Sequence, residues 1–240
     1  MSQYGLPDHV FVCLNDEYVV ILDLKRDRYF ALQASRTAGL STLVRGWPVP
    51  LSAGARSEAA SPEETNATAQ VLLRQGLLSN ADTAAKDATP VQLPAPAKEL
   101  VVQGDTHGTP IRAGAIAAFL AASIFAKFAL RFWTFERVIR RVQLRKRARA
   151  TATQPLDVER ARYLVDSFGR MRVYLFSSRD ECLYDSLALL EFLARGELFP
   201  DWVFAVRARP FAAHCWVQYG DIVFNDRVEE VGGYTPIMVV

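Results

Sequence analysis

Strand-like and helix-like segments occur in separate blocks along this chain, and their order restricts the fold classes that the chain can adopt. Short apolar runs typical of β-strands lie at 9–14, 17–24 and 28–32, and helix-like segments follow them. After residue 110 the order is reversed, because helix-like segments come first and alternating apolar segments lie within 202–228. Blocks of this kind predict α+β architecture in both halves of the chain.

The composition of 81–110 divides the chain into two predicted domains. This stretch is weakly hydrophobic and rich in Ala, Pro, Thr and Gly, which is typical of a linker. Residues 1–80 are expected to form a small winged-helix-like domain with a three-stranded antiparallel sheet and helices. One of its helices should begin after Ser61, with a proline and two glutamates in the first turn, and should end near Gln75. Residues 111–240 are expected to form the second α+β domain.

A cysteine stands at the start of an amphipathic run in the second domain. Within RDECLYDSLALLEFL (179–193), leucines recur every three or four residues, which predicts an α-helix. The N-cap residue types Ser177, Ser178 and Asp180 precede Cys182 and place it in the first turn. A helix N-terminus lowers the pKa of a thiol and makes it nucleophilic, although a small buried core residue would fit the same position.

A histidine and a carboxylate follow in a predicted β-hairpin. The segment FAAHCWVQYGDIVFND (211–226) predicts two strands that turn at a Gly-Asp pair. With Cys182 on a helix start, His214 on one strand and Asp226 on the next, the parts of a thiol nucleophile are all present. The histidine would take the thiol proton and later protonate the leaving amine, while the carboxylate would orient the ring. Taken one at a time, the histidine is more often a hydrogen-bonded strand residue, and the carboxylate an exposed strand end.

The register of this hairpin decides which side chain can face His214. With a two-residue Gly-Asp loop, Asn225 shares a face with His214 and Asp226 does not. Asp226 reaches that face only if one extra residue enters the ladder, as a bulge or in a three-residue loop that begins at Tyr219. We expect Asp226, and therefore such an irregularity, with a Cys-His-Asn site as the alternative.

The other two cysteines are expected to be packing residues. Adjacent strand residues point to opposite faces, so Cys215 should face away from a cleft that His214 lines. Cys13 lies in a predicted strand of the first domain and should be part of its core. Three cysteines at scattered positions argue against a disulfide framework, and the sequence has no Cys or His pairing of the metal-binding kind. No metal or cofactor is therefore expected.

Charge and hydropathy point neither to a polyanionic partner nor to a membrane span. The formal net charge is only +2. The uncharged segment 113–126 is shorter than the roughly 20 residues that a spanning helix needs, so a buried helix and no stable membrane insertion are expected. The basic run 137–149 could contact an acidic peptide, a membrane surface or RNA, but a solvated helix face is its ordinary role. The first residues lack the pattern of a signal peptide, which makes the cytoplasm the expected location.

Motifs in the second domain follow a family pattern: Cys-Leu-x-x-Ser-Leu-x-Leu-Leu at 182–190, His-x-Trp-Val at 214–217 and a later Asn-Asp pair. This pattern resembles the transglutaminase-like cysteine proteases of bacterial lasso-peptide biosynthesis, the B proteins of that family. The resemblance covers most of 111–240 and implies a papain- or transglutaminase-like α+β fold. After two predicted strands, Arg-Tyr-Phe-Ala-Leu at 28–32 resembles the PqqD-like precursor-recognition domains. Together the two resemblances imply a recognition domain fused to a leader peptidase.

The resemblance implies that the protein captures and cleaves a ribosomal precursor peptide. The first domain would bind the leader, and the second would cleave the leader from the core peptide by acyl transfer to water. A separate ATP-using cyclase, similar to asparagine synthetase, would then join the freed amine to an acidic side chain. Carried over residue by residue, Cys182 is the nucleophile, His214 is the base and Asp226 orients the histidine.

In the resembling recognition domains, the leader adds a strand to the edge of the sheet, beside a helix. The matching elements in this chain are 28–32 and 62–75. The candidate contact residues are Arg28, Tyr29, Phe30, Ala67, Val71 and Leu72. Some of these apolar side chains must instead belong to the core.

Two other kinds of function fit the same residues. An amine can open a thioester in place of water, so the triad could serve an amine acyltransferase or transglutaminase. The first domain could also be a winged-helix nucleic-acid binder in a non-catalytic protein. The helix proposed at 62–75 carries two acidic residues, Glu63 and Glu64, and only one basic residue, Arg74. This composition argues against DNA binding, so no nucleic-acid partner is expected.

Two departures from the family pattern, Cys215 in place of Ala and Gln218 in place of Glu, do not affect the triad.

Overall fold

The computed structural model of the protein describes residues 3–50, 60–81, 85–100, 110–149, 156–173 and 182–240. The chain divides into two compact units. The first contains Met1–Gln92, Ala205–Ala213 and Thr235–Met238, and the second contains Leu93–Phe204, His214–Tyr234 and Val239–Val240. The first unit therefore takes in two short pieces from the last part of the chain, which a linear division into domains does not include.

A three-stranded antiparallel sheet forms the centre of the first unit, as the apolar runs predicted. Its strands are β2 (Val10–Asn15), β3 (Tyr18–Asp23) and β4 (Arg28–Gln33), in the order β2-β3-β4. Asp16 and Asp27 both have a φ of 52°, a left-handed conformation that aspartate tolerates better than most residues in tight turns. The two strand connections are therefore set by local sequence.

The other elements of the first unit are β1 (Tyr4–Gly5), α1 (Ala34–Thr37), a 3₁₀ turn (Ala38–Thr42), α2 (Pro62–Arg74) and β5 (Ser79–Asn80), which pairs with β1. Helix α2 begins with a capping box, since Ser61 Oγ accepts from the Glu64 N–H and the Glu64 carboxylate accepts from the Ser61 N–H. Gly76, at a φ of 72°, follows its end. The predicted bounds of this helix are thus confirmed to within one residue.

Among the described residues the second unit contains four long helices: α3 (Ala113–Phe132), α4 (Phe135–Arg149), α5 (Val158–Arg172) and α6 (Cys182–Arg195). Helix α6 is central, because every residue from 185 to 193 is buried. An aromatic row joins three of the helices, with 5.4 Å between the ring centroids of Phe119 and Phe168 and 5.7 Å between those of Phe168 and Phe192.

Helix α3 is buried on one face only. Phe119, Ala122, Ser123, Ala126 and Ala129 are buried, while large apolar side chains on another face are exposed. The expectation of a buried helix at 113–126 therefore holds for one face and is wrong for the other. By length and composition α3 could cross a membrane, with a mean hydropathy of 1.9 over its most apolar window.

A five-stranded sheet has four of its strands after the helices in sequence, which confirms the predicted α+β order. Its strands are β6 (Lys98–Glu99), β7 (Asp201–Arg207), β8 (Ala212–Tyr219), β9 (Ile222–Val223) and β10 (Thr235–Val239), in the order β10-β7-β8-β9-β6. A short helix, α7 (Val228–Val231), lies between β9 and β10. Strand β6 comes from the segment expected to be a linker and pairs in parallel with β9.

Candidate active site

Cys182 is the first residue of α6 and lies half-buried in the wall of a cavity of about 790 Å³. The first turn of the helix is secured by Ser186, whose hydroxyl donates to the Cys182 carbonyl over 2.6 Å. The indole N–H of Trp202 donates to the same hydroxyl oxygen over 2.8 Å. The predicted helix start at Cys182 is thus confirmed, while the expected N-cap residues at 177–180 lie outside the described residues.

His214 and Asp226 line the same cavity wall as Cys182. His214 lies on β8, and its Nε2 is 2.5 Å from Oδ2 of Asp226, which follows β9. The imidazole also interacts with the Cys182 thiol closely enough for each group to shift the pKa of the other. Since Nε2 is bonded to the carboxylate, Nδ1 is the nitrogen left for the sulfur. Three residues that the sequence places on separate elements therefore meet in the order thiol, imidazole, carboxylate.

The electrostatics of the site favour a charged thiol–imidazole pair. A hydrogen bond from the Cys215 side chain, reinforced by hydrogen bonds from His214 and the Cys215 N–H, outweighs burial and lowers the pKa of Cys182 to about 4. Burial lowers the pKa of His214, but hydrogen bonds to Asp226 and Cys182, with their negative charges, raise it to about 9. At neutral pH the pair is therefore a thiolate and an imidazolium, the reactive form of a nucleophilic cysteine.

Strand alternation predicted that Cys215 would lie apart from the site, but Cys215 lies beside Cys182. It is buried, with 3% of its surface exposed, but it lines the same cavity as Cys182, and its thiol and its N–H both lower the pKa of Cys182. Alternation along β8 does turn the Cβ atoms of His214 and Cys215 to opposite faces. A sulfur atom beside the strand can nevertheless contact both residues. Burial, then the hydrogen bond and charge of Cys182, raises the pKa of Cys215 well above its ordinary value, so Cys215 stays a protonated donor.

The hairpin β8–β9 is irregular, but not where we expected the irregularity. Its loop has two residues, with Tyr219 opposite Ile222, so the expected three-residue loop is wrong. The ladder instead breaks near Asn225, whose side-chain Oδ1 accepts from the Val217 N–H over 2.8 Å. A backbone carbonyl would accept that N–H in a continued ladder. The chain leaves the ladder at this point, and Asp226 rather than Asn225 contacts His214.

A buried carboxylate that was not among the predicted site residues forms a hydrogen bond with Asn225. Asp185, one turn after Cys182 on α6, accepts from Asn225 Nδ2 over 3.1 Å and from Arg172 Nη1 over 3.0 Å at its Oδ2. Its Oδ1 has no hydrogen-bond partner among the described residues. Burial, only partly offset by Arg172 and Asn225, raises the pKa of Asp185. The sole sequence signal was an acidic residue within the apolar run LYDSLALL.

The candidate leader-binding residues lie on different faces of the first unit. Phe30 is paired with Ile21 and packs on the core between the sheet and α2, whereas Tyr29 lies on the opposite face, 5.6 Å from the ring of Phe211. Leu72 is only 4% exposed and belongs to that core, so its proposed contact with a ligand is wrong. Three candidates are exposed: Arg28, Ala67 and Val71.

Comparison with known proteins agrees with this geometry. Residues 122–239 match the model of the transglutaminase-like superfamily, and this range contains all of α6, β8 and β9. No curated protein and no solved structure matches the chain. Within the described residues, no group of three His, Cys, Asp or Glu side chains is placed to hold a metal ion. Residues 122–239 of this protein form a transglutaminase-like superfamily domain.

Proposed function

We propose that this protein is a cysteine peptidase that removes the leader from a ribosomal precursor peptide in lasso-peptide maturation. The observation that carries the proposal is the meeting of Cys182, His214 and Asp226 in one cavity wall, with His214 hydrogen-bonded to Asp226 and interacting with the Cys182 thiol. The transglutaminase-like domain supports cysteine-dependent acyl transfer as the class of reaction. The peptidase activity and the precursor are supported by the resemblance of the motifs at 182–190, 214–217 and 28–32.

In the first step, the Cys182 thiolate attacks the carbonyl carbon of the bond between leader and core. The His214 imidazolium gives its proton to the departing amine, so the core peptide leaves and the leader stays on sulfur as a thioester. In the second step, neutral His214 takes a proton from water, which attacks the thioester and releases the leader. The Asp226 carboxylate holds the imidazole in place and stabilises its protonated form in both steps.

The carbonyl oxygen carries negative charge during both steps and needs hydrogen-bond donors. We assign one of them to the backbone N–H of Cys182, because the first N–H groups of a helix have no partner within the helix. A cavity of about 790 Å³ is within the range of sites that enclose most of a bound ligand. It is therefore large enough for the residues on either side of the cleaved bond.

The leader is proposed to add a strand to the outer edge of β4. Among the described residues β4 pairs with β3 alone, so its other row of backbone N–H and C=O groups is available to a peptide. Arg28, Tyr29 and Phe30 would lie along the added strand, and Ala67 and Val71 on α2 would contact its side chains. The freed core would pass to a separate ATP-using cyclase, with both steps in the cytoplasm.

The test is incubation of the protein with a candidate precursor peptide, with the products identified by mass spectrometry. The wild-type protein should release leader and core with the mass of one added water, and Cys182→Ala should release neither while still binding the precursor. The matched control is Cys13→Ala, which removes a buried thiol of the first unit and should keep most of the activity. A leader that carries an added amine in place of water would identify an acyltransferase instead. Cleavage by Cys182→Ala at the wild-type rate would overturn the proposal.

A further inference from the structure

Five large apolar side chains form an exposed row along α3, which we call the α3 stripe. They recur every four residues and are between 45% and 69% exposed: Ile116, Leu120, Ile124, Phe128 and Phe132. At 1.5 Å of rise per residue the stripe is roughly 24 Å long. Monomeric proteins seldom expose a continuous apolar surface of this kind without a binding role. The proposed peptidase reaction makes no use of it.

Cations flank the aromatic half of the α3 stripe on both sides. Lys127 and Arg131 are exposed and form a parallel row, each one residue before a phenylalanine of the stripe. On the other flank, the Arg141 guanidinium lies 4.5 Å from the centroid of the Phe125 ring. Long basic side chains beside an apolar helix face can lay their methylene stems along it while keeping their charges in water.

The surrounding helices are strongly basic. From Arg112 to Arg149 the chain has ten Lys and Arg residues and one acidic residue, Glu136. Several of these cations balance buried or nearby carboxylates, as Arg145 does with Glu191 at 2.7 Å. Within the described part of the chain no ion pair involves the other six: Arg112, Lys127, Arg131, Arg137, Arg140 and Arg147. A positive surface around an apolar stripe therefore remains uncompensated.

We propose that the α3 stripe docks on an anionic membrane surface, with its apolar side chains at the boundary of headgroups and acyl chains and its flanking cations on lipid phosphates. Apolar burial and attraction to anionic lipid are the two forces that hold amphipathic helices at such an interface. The helix would lie on the membrane rather than cross it, because its other face packs on α5 and α6. That packing includes a 3.1 Å hydrogen bond from the Tyr184 hydroxyl to the Ser123 carbonyl.

The shape and charge of this surface favour lipid over a second copy of the chain. The α3 stripe is the ridge of a single helix, and a lipid layer adapts to a ridge, whereas a protein must supply a matching groove. Two copies joined through this face would bring Lys127 and Arg131 of each close to the basic flank of the other, and like charges across an interface disfavour association. A partner protein with an acidic, apolar groove is the alternative, and folded protein that fails to bind anionic vesicles would favour it over lipid.

The experiment measures sedimentation of the full chain with vesicles of phosphatidylcholine alone or mixed with phosphatidylglycerol. The protein should bind the mixed vesicles, bind neutral vesicles far less, and be released by salt. Ile124→Gln/Phe128→Gln should weaken partitioning by about tenfold or more, since two exposed apolar side chains are lost. Lys127→Gln/Arg131→Gln should remove most of the preference for anionic lipid. Phe211→Gln is the matched control, because Phe211 is 52% exposed and Phe128 is 50% exposed, and it should bind as the wild type does.

Three results would overturn the proposal. The first is no binding to the mixed vesicles by folded protein, and the second is binding that Ile124→Gln/Phe128→Gln leaves unchanged. The third is a dimer in solution that this double variant dissociates, which would make the α3 stripe a contact between copies. All substituted side chains are exposed, so the variants should keep the wild-type circular dichroism spectrum. Neither docking variant alters a residue of the proposed triad, so cleavage of the precursor in solution reports on the peptidase proposal independently.

Discussion

The hairpins β3–β4 and β8–β9 differ in how far their ladders run. The first pairs all six residues of each strand, from Tyr18 opposite Gln33 to Asp23 opposite Arg28. The second pairs only two residues of β9 before the Asn225 side chain accepts the N–H that a backbone carbonyl would otherwise take. The first hairpin therefore keeps a regular backbone edge, while in the second the chain leaves the ladder and brings a carboxylate to His214.

This difference separates two ways in which a sheet can serve function. A sheet that recognises an extended peptide by strand addition must keep its edge regular, because every second backbone group of the edge pairs with the ligand. A sheet that supports a triad must instead bring side chains from neighbouring strands to one point, and a local break in the ladder re-aims them. In this protein the break depends on one side chain, Asn225, which is itself bonded to Asp185.

The largest effect is expected for the carboxylate that the break brings to the histidine. Asp226→Ala removes the group that orients His214 and stabilises its positive charge, so kcat/KM for leader release should fall by about 10²–10⁴. Asn225→Ala should also be impaired, because the Val217 N–H and Asp185 lose a partner and Asp226 loses its support. The measurement is single-turnover cleavage of the precursor with enzyme in excess but below saturation, which gives kcat/KM directly.

A charge-conserving exchange distinguishes these two roles. In Asp185→Asn/Asn225→Asp the pair is reversed, so that the new amide donates to the new carboxylate and Val217 still has an acceptor. This double variant should recover much of the activity that Asn225→Ala loses, because Asn225 acts only by positioning Asp226. Three results together would make Asn225 the third catalytic residue. They are an inactive Asn225→Ala, no recovery of activity in Asp185→Asn/Asn225→Asp, and near-normal turnover in Asp226→Ala.

The parts of the fold that the sequence could predict are those set by local signals. Ser61 and Glu64 cap α2, Gly76 ends it, and Asp16 and Asp27 turn the first sheet, so these elements lie where the residues indicated. The position of Cys182 at a helix start followed from periodicity in the same way. Each of these features is determined by residues a few positions apart in the chain, which is the range over which capping and turn preferences act.

The remaining features depend on contacts between distant residues. The end of β9 is decided by a hydrogen bond between Asn225 and Asp185, which are 40 residues apart in sequence. Strand alternation predicts to which face of the sheet the Cys215 side chain points. It does not predict that the first turn of α6, with Cys182, lies beside Cys215. An uncharged run such as 113–126 is equally compatible with a buried helix and with one that exposes a face, because periodicity among Ala, Ile and Phe does not separate inside from outside.

An effect of intermediate size, on KM alone, is expected for leader binding at the regular edge of β4. Val71→Asp places a charge on the exposed face of α2, beside the proposed peptide strand, where Val71 is 41% exposed. If the leader binds there, KM should rise by about tenfold while kcat stays near the wild-type value, the pattern of a contact that serves binding alone. Val158→Asp is a matched control, since Val158 is 39% exposed on α5, and it should leave both constants unchanged. Equal KM values for the two variants would contradict leader binding at this helix.

The smallest effect is expected for Cys215, and it should be visible mainly in the pH profile. The pKa of Cys182 is about 4 and that of His214 is about 9, so kcat/KM should fall below the first value, as the thiolate is protonated, and above the second, as the imidazolium is lost. The Cys215 thiol donates to the sulfur of Cys182 and favours its charged form. Cys215→Ala removes that donor, so the pKa of Cys182 should rise and the acid limb should move to higher pH. The alkaline limb, set by His214 and Asp226, should stay near its place.

At neutral pH the thiolate should persist in Cys215→Ala, because His214 still donates to the sulfur. Activity there should therefore change by only a few-fold, which is about the value of one hydrogen bond of roughly 1 kcal/mol. Cys13→Ala, which lacks a thiol far from the site in sequence, should show the wild-type profile. A Cys215→Ala profile that superimposes on the wild type would mean that His214 and the start of α6 alone keep the nucleophile charged. Cys215 would then be a packing residue, although its thiol contacts the sulfur of Cys182.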